Sequence, residues 1–295
     1  MYDSSDPRSR LTQKTAPPLG TEGIAAPETH LFRDPNAADT SVPGTRVWAA
    51  RGQNFLVEYI ELDAGSELEF NRDRGCVLIV EDGPGEINVA VSKESAALDE
   101  RGIIIVPPGP ARVSASEQSI VVAVSDIMAD GAPQAANAES YAQAHPRVAR
   151  LAEDLPAPNA LKAYPLSDYP PENGRFGTIF RTHTLMINFL DDQIGPRDPE
   201  KLSPHHHDDF EQGSLTLSGA WKHHIRTPWT TKQSQWRDDV HVDVEGPSLT
   251  IIPPPTVHTS RAVGEGLNLM IDLFSPPRDD FADNGWVVNA EDFPR

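Results

Sequence analysis

The stretch PHHHDDFEQGSLTLSG (204–219) holds three of the chain's ten histidines, an acidic pair, a glutamate and a glutamine just ahead of a strand-like run. His205 and His207 are two positions apart, so in an extended chain their imidazoles point to the same side while His206 points away. Two imidazoles on one face are the start of a divalent metal site. A further oxygen ligand can come from Glu211 or Gln212. The fourth candidate is His258, which follows the proline-rigid turn IIPPP (251–255). If Gln212 faces inward, alternation carries Ser214 and Thr216 with it into a polar pocket and leaves Leu215 and Leu217 outside. If Glu211 faces inward, the two leucines share its side. AWKHHIR (220–226) adds His223 and His224, of which alternation sends one inward, and Arg226.

These groups need a scaffold, and composition limits what it can be. The 295 residues carry 44 acidic and 25 basic side chains, for a net charge of -19. That balance argues against nucleic acid or an anionic membrane as partner, since both need a basic footprint. An acidic substrate would have to meet a local positive patch. The single cysteine, Cys76, excludes an intrachain disulfide and a multi-thiolate metal site. With no apolar run of about 18 residues and no basic-then-apolar leader, a soluble cytoplasmic protein is expected.

The chain reads as strands, then a helix candidate, then strands. Residues 1–40 lack apolar periodicity and are expected to form an arm, disordered or laid across another surface. FLVEYIEL (55–62), CVLIVEDG (76–83), GEINVAV (85–91), GIIIVPPG (102–109) and SIVVAVSDI (119–127) are short β-branched runs punctuated by Gly and Pro. NAESYAQAHPRVARLAEDL (137–155) is the best helix candidate, interrupted by Pro146, and a linker follows it to 175. The β pattern resumes from 176 to 278, leaving a tail over 279–295. An internal repeat runs through this order: CVLIVEDGPGE (76–86) resembles QGSLTLSGAWK (212–222), and GIIIVPPGPAR (102–112) resembles SLTIIPPPTVH (248–258). Two related β domains, over 41–130 and 176–278, joined by a helical connector over 131–175, are therefore expected.

The spaced motifs resemble those of the cupin superfamily. His205-x-His207, four residues, Gln212, six residues and Gly219 match the first motif, with Gln replacing Glu and Pro199 replacing its leading glycine. Pro253-x-Pro255, two residues and His258 match the second, with Pro255 replacing glycine, Ala262 replacing the final Asn, and Gly246 one residue too far upstream. The resemblance implies two tandem jelly-roll barrels. It implies a metal held by His205, His207, Gln212 and His258, one divalent transition ion per chain, with Fe2+ favoured over Mn2+, Ni2+ or Zn2+. The superfamily tolerates three or four intervening residues, so Glu211 is also in register, while the glycine spacing favours Gln212. The same frame laid on the first half puts Glu69 and Asn71 at the histidine positions, Cys76 at that of Gln212 and Arg112 at that of His258. All four ligands differ there, and the N-terminal barrel is expected to hold no metal.

Several functions are compatible with such a barrel. A three-histidine iron site is similar to those of dioxygenases. A carboxylate in the set would instead suit an isomerase, epimerase or lyase acting on a sugar or on a keto or hydroxy acid. A non-catalytic binder of small molecules is the third reading. His223, His224 and Glu211 are candidate catalytic groups, and Ser214, Thr216 and Arg226 candidate substrate contacts. The partners expected are a small-molecule substrate and, as an open alternative to the monomer, a second copy in a homodimer. The stretch from Gly219 to Pro253 is ten residues longer than its counterpart from Gly83 to Pro107, and the excess around 226–239 is equally a candidate lid and a candidate oligomer contact.

Overall fold

The computed structural model describes residues 6–10, 23–127, 135–145 and 147–294. Each half builds a large and a small antiparallel sheet, and the pair closes around an interior. In the N-terminal half the large sheet centres on Cys76–Val80, flanked by Gly102–Val106 and Ser119–Asp126. In the C-terminal half the equivalent centre is Glu211–Ser218, flanked by Ser248–Ile252 and Leu267–Ser275. The repeated strand-to-turn order in the sequence thus corresponds to a repeated strand order in space. The structure is almost entirely β, with two tandem barrels as the motifs imply.

Each large sheet is extended at the matching edge by a strand from elsewhere. Glu28–Leu31, from the N-terminal arm, pairs with Ser248–Ile252 of the C-terminal barrel. Lys162–Pro165, from the linker, pairs with Gly102–Val106 of the N-terminal barrel. Both additions cover edges that would otherwise expose unpaired backbone groups. Part of the arm is therefore laid across another surface. The rest of its first 22 residues, except 6–10, lies outside the described residues.

The connector differs from expectation. Among its described residues the helix expected over 137–155 is reduced to a 3-10 turn at Ala138–Tyr141. A second turn, Leu166–Asp168, ends the linker. Pro146 lies outside the described residues. The side chains explain the difference: Asn137, Tyr141 and His145 are engaged with strands of both barrels, and these tertiary bonds fix an irregular path. The C-terminal tail is likewise packed. It opens with a short helix, Asp279–Asp283, and buries Phe281, Trp286, Val287 and Phe293.

The two large sheets bury their outer faces against each other. Val57, Tyr59, Val77, Ile79, Ile103 and Val124 from one half share an apolar cluster with Phe180, Ile187, Leu215, Leu217, Leu249 and Ile271 from the other. The barrel interiors are different from each other. The N-terminal one is filled by Leu68, Phe70, Cys76, Leu78, Ile104 and Val113.

The strand pairings correct the assignment of the lost site. Along Glu67–Arg72 the buried residues are Leu68, Phe70 and Arg72, whereas Glu69 and Asn71 are exposed. His205 pairs with His258 in the C-terminal barrel, and the matching inward pair is Phe70 with Ala111. Phe70, Arg72, Cys76 and Ala111 therefore stand where the metal ligands would be. Glu69 and Arg112 form a 3.4 Å ion pair on the surface. The connection from Phe70 to Cys76 is one residue shorter than that from His205 to Gln212, and this slip defeats counting. Arg72 bonds Glu58 at 2.6 Å, with both side chains almost fully buried. An internal ion pair and a phenyl ring fill the space that imidazoles line in the other barrel.

A buried pair broken on one side leaves an uncompensated charge. Arg72→Ala is expected to cost about 3–5 kcal/mol, whereas the joint replacement Arg72→Met with Glu58→Leu should lie within about 1–2 kcal/mol of the parent or be more stable. Urea denaturation midpoints read both. Equal losses in the two variants would show that packing, rather than charge, is what the pair contributes.

Candidate metal centre

Strand alternation on Glu211–Ser218 decides the site. Gln212, Ser214 and Thr216 face the barrel interior, and Leu215 and Leu217 enter the apolar seam between barrels. Glu211 is on the seam side. Its Oε2 accepts the backbone N–H of Gln53 at 2.5 Å, and its Oε1 lies 2.6 Å from Nδ1 of His145 and 3.3 Å from the hydroxyl of Tyr141. Gly52 makes room for this, since a Cβ there would lie 2.6 Å or less from two atoms of the Phe55 ring and 3.0 Å from Glu211 Oε2. Glu211 is thus a clasp joining the N-terminal barrel, the connector and the C-terminal barrel. As a metal ligand or catalytic group it is corrected by this geometry.

His205, His207 and His258 each offer a ring nitrogen within 4.8 Å of the others. This is the one such cluster among the described residues. The Nε2 atoms of His207 and His258 lie 2.9 and 3.3 Å from Oε1 of Gln212. Nδ1 of His205 is 2.9 Å from the carbonyl of Ser203, and Nδ1 of His258 is 3.0 Å from that of Thr256. A carbonyl can only accept, so Nδ1 carries the proton in both rings and the Nε2 lone pair is directed into the cluster. The amide of Gln212 is oriented the same way, because its Nε2 donates to Ser214 Oγ and to Asp272 Oδ1, both at 3.0 Å. Its oxygen is left to face the histidines.

Electrostatics suits metal ligation. Burial, with the neighbouring His258 and His207 adding to it, holds His205 well below the usual imidazole range. Burial and the charge of Arg278 do the same for His207. Burial brings His258 down to about 4. All three are neutral at pH 7, as ligands must be. Burial pushes Asp272 up to about 6, against hydrogen bonds from Ser214 and Gln212 and the charges of Arg8 and Arg278.

A cavity of about 420 Å³ opens onto the cluster, with His205, Gln212, His258, Asp272, Trp221 and Met270 in its wall. Beyond it the interior stays polar. Both amide atoms of Asn188, Oγ1 of Thr216 and Nε2 of His223 are buried without a hydrogen-bond partner. Three neutral nitrogens and an amide oxygen are a donor set for a divalent transition ion, so the residues present fit one.

The remaining sequence candidates divide. His223 is fully buried behind His258, with Nδ1 2.7 Å from Ser260 Oγ, and burial brings it down to about 3. His224 faces outward, 2.8 Å from His241 through their Nδ1 atoms. Arg226 is exposed and paired with Asp239, so it contacts no cavity ligand. Ser214 holds the Gln212 amide and Asp272, while Thr216 lies one step deeper. No residue of the 226–239 loop is in the cavity wall, and the lid reading is not realised. Its Trp229 and Trp236 stack on each other at 4.4 Å, and Arg237 bonds the backbone of Ile24. Sequence reasoning missed Asp272, although a lone acid within the apolar LNLMIDLFS was a signal for it.

No family model matches the sequence, and no curated protein does. Solved structures match over most of its length. An oxalate decarboxylase from Lactobacillus farciminis, solved as a formate complex, is 14% identical with a TM-score of 0.59, covering 90% of each chain. A putative glyoxylate-induced protein from Pseudomonas aeruginosa is 15% identical with a TM-score of 0.56, covering 91% of each. AerE from Microcystis aeruginosa is 10% identical with a TM-score of 0.55, covering 87% of this chain and all of its own. At such identities the likeness establishes the bicupin fold.

Two predictions follow from the two faces of the strand. Glu211→Gln should lower stability and leave metal affinity unchanged, whereas Gln212→Glu should tighten the metal. Metal titration with a denaturation curve reads both. The clasp also has a pH signature. Burial lowers the His145 pKa, but the hydrogen bond and charge of Glu211 outweigh it and raise the value above 6.5. The stabilisation is then complete below pH 6.5 and is lost as pH rises through the folded-state value. The stability gap between the parent and His145→Ala should shrink on going from pH 6 to pH 9, and a widening gap would contradict the clasp.

Proposed function

We propose that the chain is a metal-dependent enzyme that acts on a small organic molecule in its C-terminal barrel, by chemistry of the dioxygenase type. The observation supporting this is the donor set: His205, His207, His258 and Gln212 carry no charge between them at pH 7. A divalent ion held there keeps its full positive charge and supplies Lewis-acid and, for Fe2+, redox chemistry, with Mn2+, Ni2+ and Zn2+ as alternatives.

The chain's own residues do the rest. Backbone carbonyls of Ser203 and Thr256 keep two imidazoles in the right tautomer. Ser214 and Asp272 hold the amide of Gln212 in place. Trp221 and Met270 give the cavity an apolar part of its wall.

A second reading has its own support in Asp272. A buried carboxyl with a pKa near 6, in the cavity wall beside the amide ligand, is placed to take or give a proton at Oδ. That favours lyase or isomerase chemistry on an organic acid, and the likeness to oxalate decarboxylases is compatible with it.

The test starts from protein purified without chelator or metal-binding tag. Metal content near one ion per chain is expected, and His205→Ala with His207→Ala should lose it while staying folded. Retention by that variant would place the metal elsewhere. Uptake of O₂ by iron-loaded protein with a panel of small organic acids would support the dioxygenase reading. Turnover without O₂ uptake, abolished by Asp272→Asn, would replace it with the second.

A further inference from the structure

Asp6, Pro7 and Arg8 belong to the wall of the metal cavity, although the whole N-terminal barrel separates them from its ligands in sequence. Arg8 is only 6% exposed, and its guanidinium lies 3.7 Å above the ring of Phe176. It grips Asp6 with two hydrogen bonds, Nε to Oδ1 at 3.0 Å and Nη2 to Oδ2 at 2.7 Å. An exposed pair two residues apart would contribute little. Here the two side chains are 7% and 12% exposed, so desolvation is substantial and the fork geometry has to offset it.

A second guanidinium stands close by. Arg197 donates to Ser203 Oγ at 2.9 Å and to the carbonyls of Lys201 and Ser260 at 2.7 and 3.3 Å, all neutral oxygens. Among the described residues it has no carboxylate within ion-pair distance. The charge of Asp6 is felt by Arg197. One carboxylate is thus held at the cavity mouth by one arginine and shared electrostatically with another. Against a chain net charge of -19, Arg8, Arg197 and Lys201 put three cations into a wall that also carries Asp6, Asp191, Asp198 and Asp272.

We infer that Arg8 and Arg197 are the anion-recognition pair of this cavity, built for a carboxylate of a small ligand, and that Asp6 occupies that seat as an internal stand-in. Side-chain carboxylate and ligand carboxylate present the same two oxygens to a guanidinium fork. Phe176 holds the fork flat, and Ser203 Oγ accepts a hydrogen bond from Arg197. The N-terminal segment then both contributes to recognition and competes with what is recognised. The inference rests on the C-terminal cavity being the ligand site, as proposed above.

Malonate is a suitable probe, titrated calorimetrically into the full-length chain as purified, with metal content measured on every sample. If Asp6 fills the seat most of the time, the apparent affinity is reduced by the unfilled fraction, so Asp6→Asn should tighten malonate roughly tenfold. Arg8→Ala and Arg197→Ala should each weaken it by about tenfold or more. Unchanged malonate affinity in Asp6→Asn, or full affinity in Arg8→Ala, would overturn the inference. Metal near one per chain with a silent Asp6→Asn would defeat this inference alone. A metal-free chain in which Asp6→Asn still tightens malonate would defeat the metal reading and leave the anion seat standing.

Discussion

The alternation of one strand, Glu211–Ser218, is the constraint on which the rest of the molecule depends. Its inward residues are polar: Gln212 reaches the histidines, Ser214 and Asp272 hold that amide, and Thr216 continues the polar column. Its outward residues seal the two barrels together, Leu215 and Leu217 by apolar contact and Glu211 by a buried clasp to Gln53 and His145. A register slip of one residue would put leucines against the histidines and an amide in the seam. One wall of the candidate site and the seal between the barrels are therefore specified by the same eight residues.

The two barrels share strand order and differ in what fills them. Where the C-terminal barrel brings His205 and His258 together, the N-terminal one pairs Phe70 with Ala111. Where His207 stands, Arg72 reaches Glu58. The N-terminal interior is filled by its own apolar side chains and the buried Arg72–Glu58 pair. The C-terminal interior is lined by buried polar side chains, Asn188, Ser214, Thr216 and His223 among them. The candidate metal site lies in one half, and the linker lends its strand to the other.

Much of this was legible in the sequence because it depends on local spacing. HxH followed by Gln212, and the rigid turn before His258, are short-range patterns, and the repeat exposed the tandem architecture. What sequence hid was set by long-range contacts. The helical composition of 137–155 was overridden by the bonds of Asn137, Tyr141 and His145 to distant strands. A one-residue difference in a connection moved the lost site from Glu69 and Asn71 to Phe70 and Arg72. Nothing in the sequence around Asp6 and Arg8 pointed to a cavity formed by residues beyond 175. Alternation sends one histidine of the HH dipeptide inward, and His223 is that one, while His224 pairs with His241 outside.

An anomalous-difference map from crystals of the metal-loaded chain tests the central claim most directly. A single strong peak per chain, enclosed by the Nε2 atoms of His205, His207 and His258 and the Oε1 atom of Gln212, is the predicted result. A peak in the N-terminal barrel, one at His224 and His241, or one bound by the carboxylate of Glu211 would contradict it.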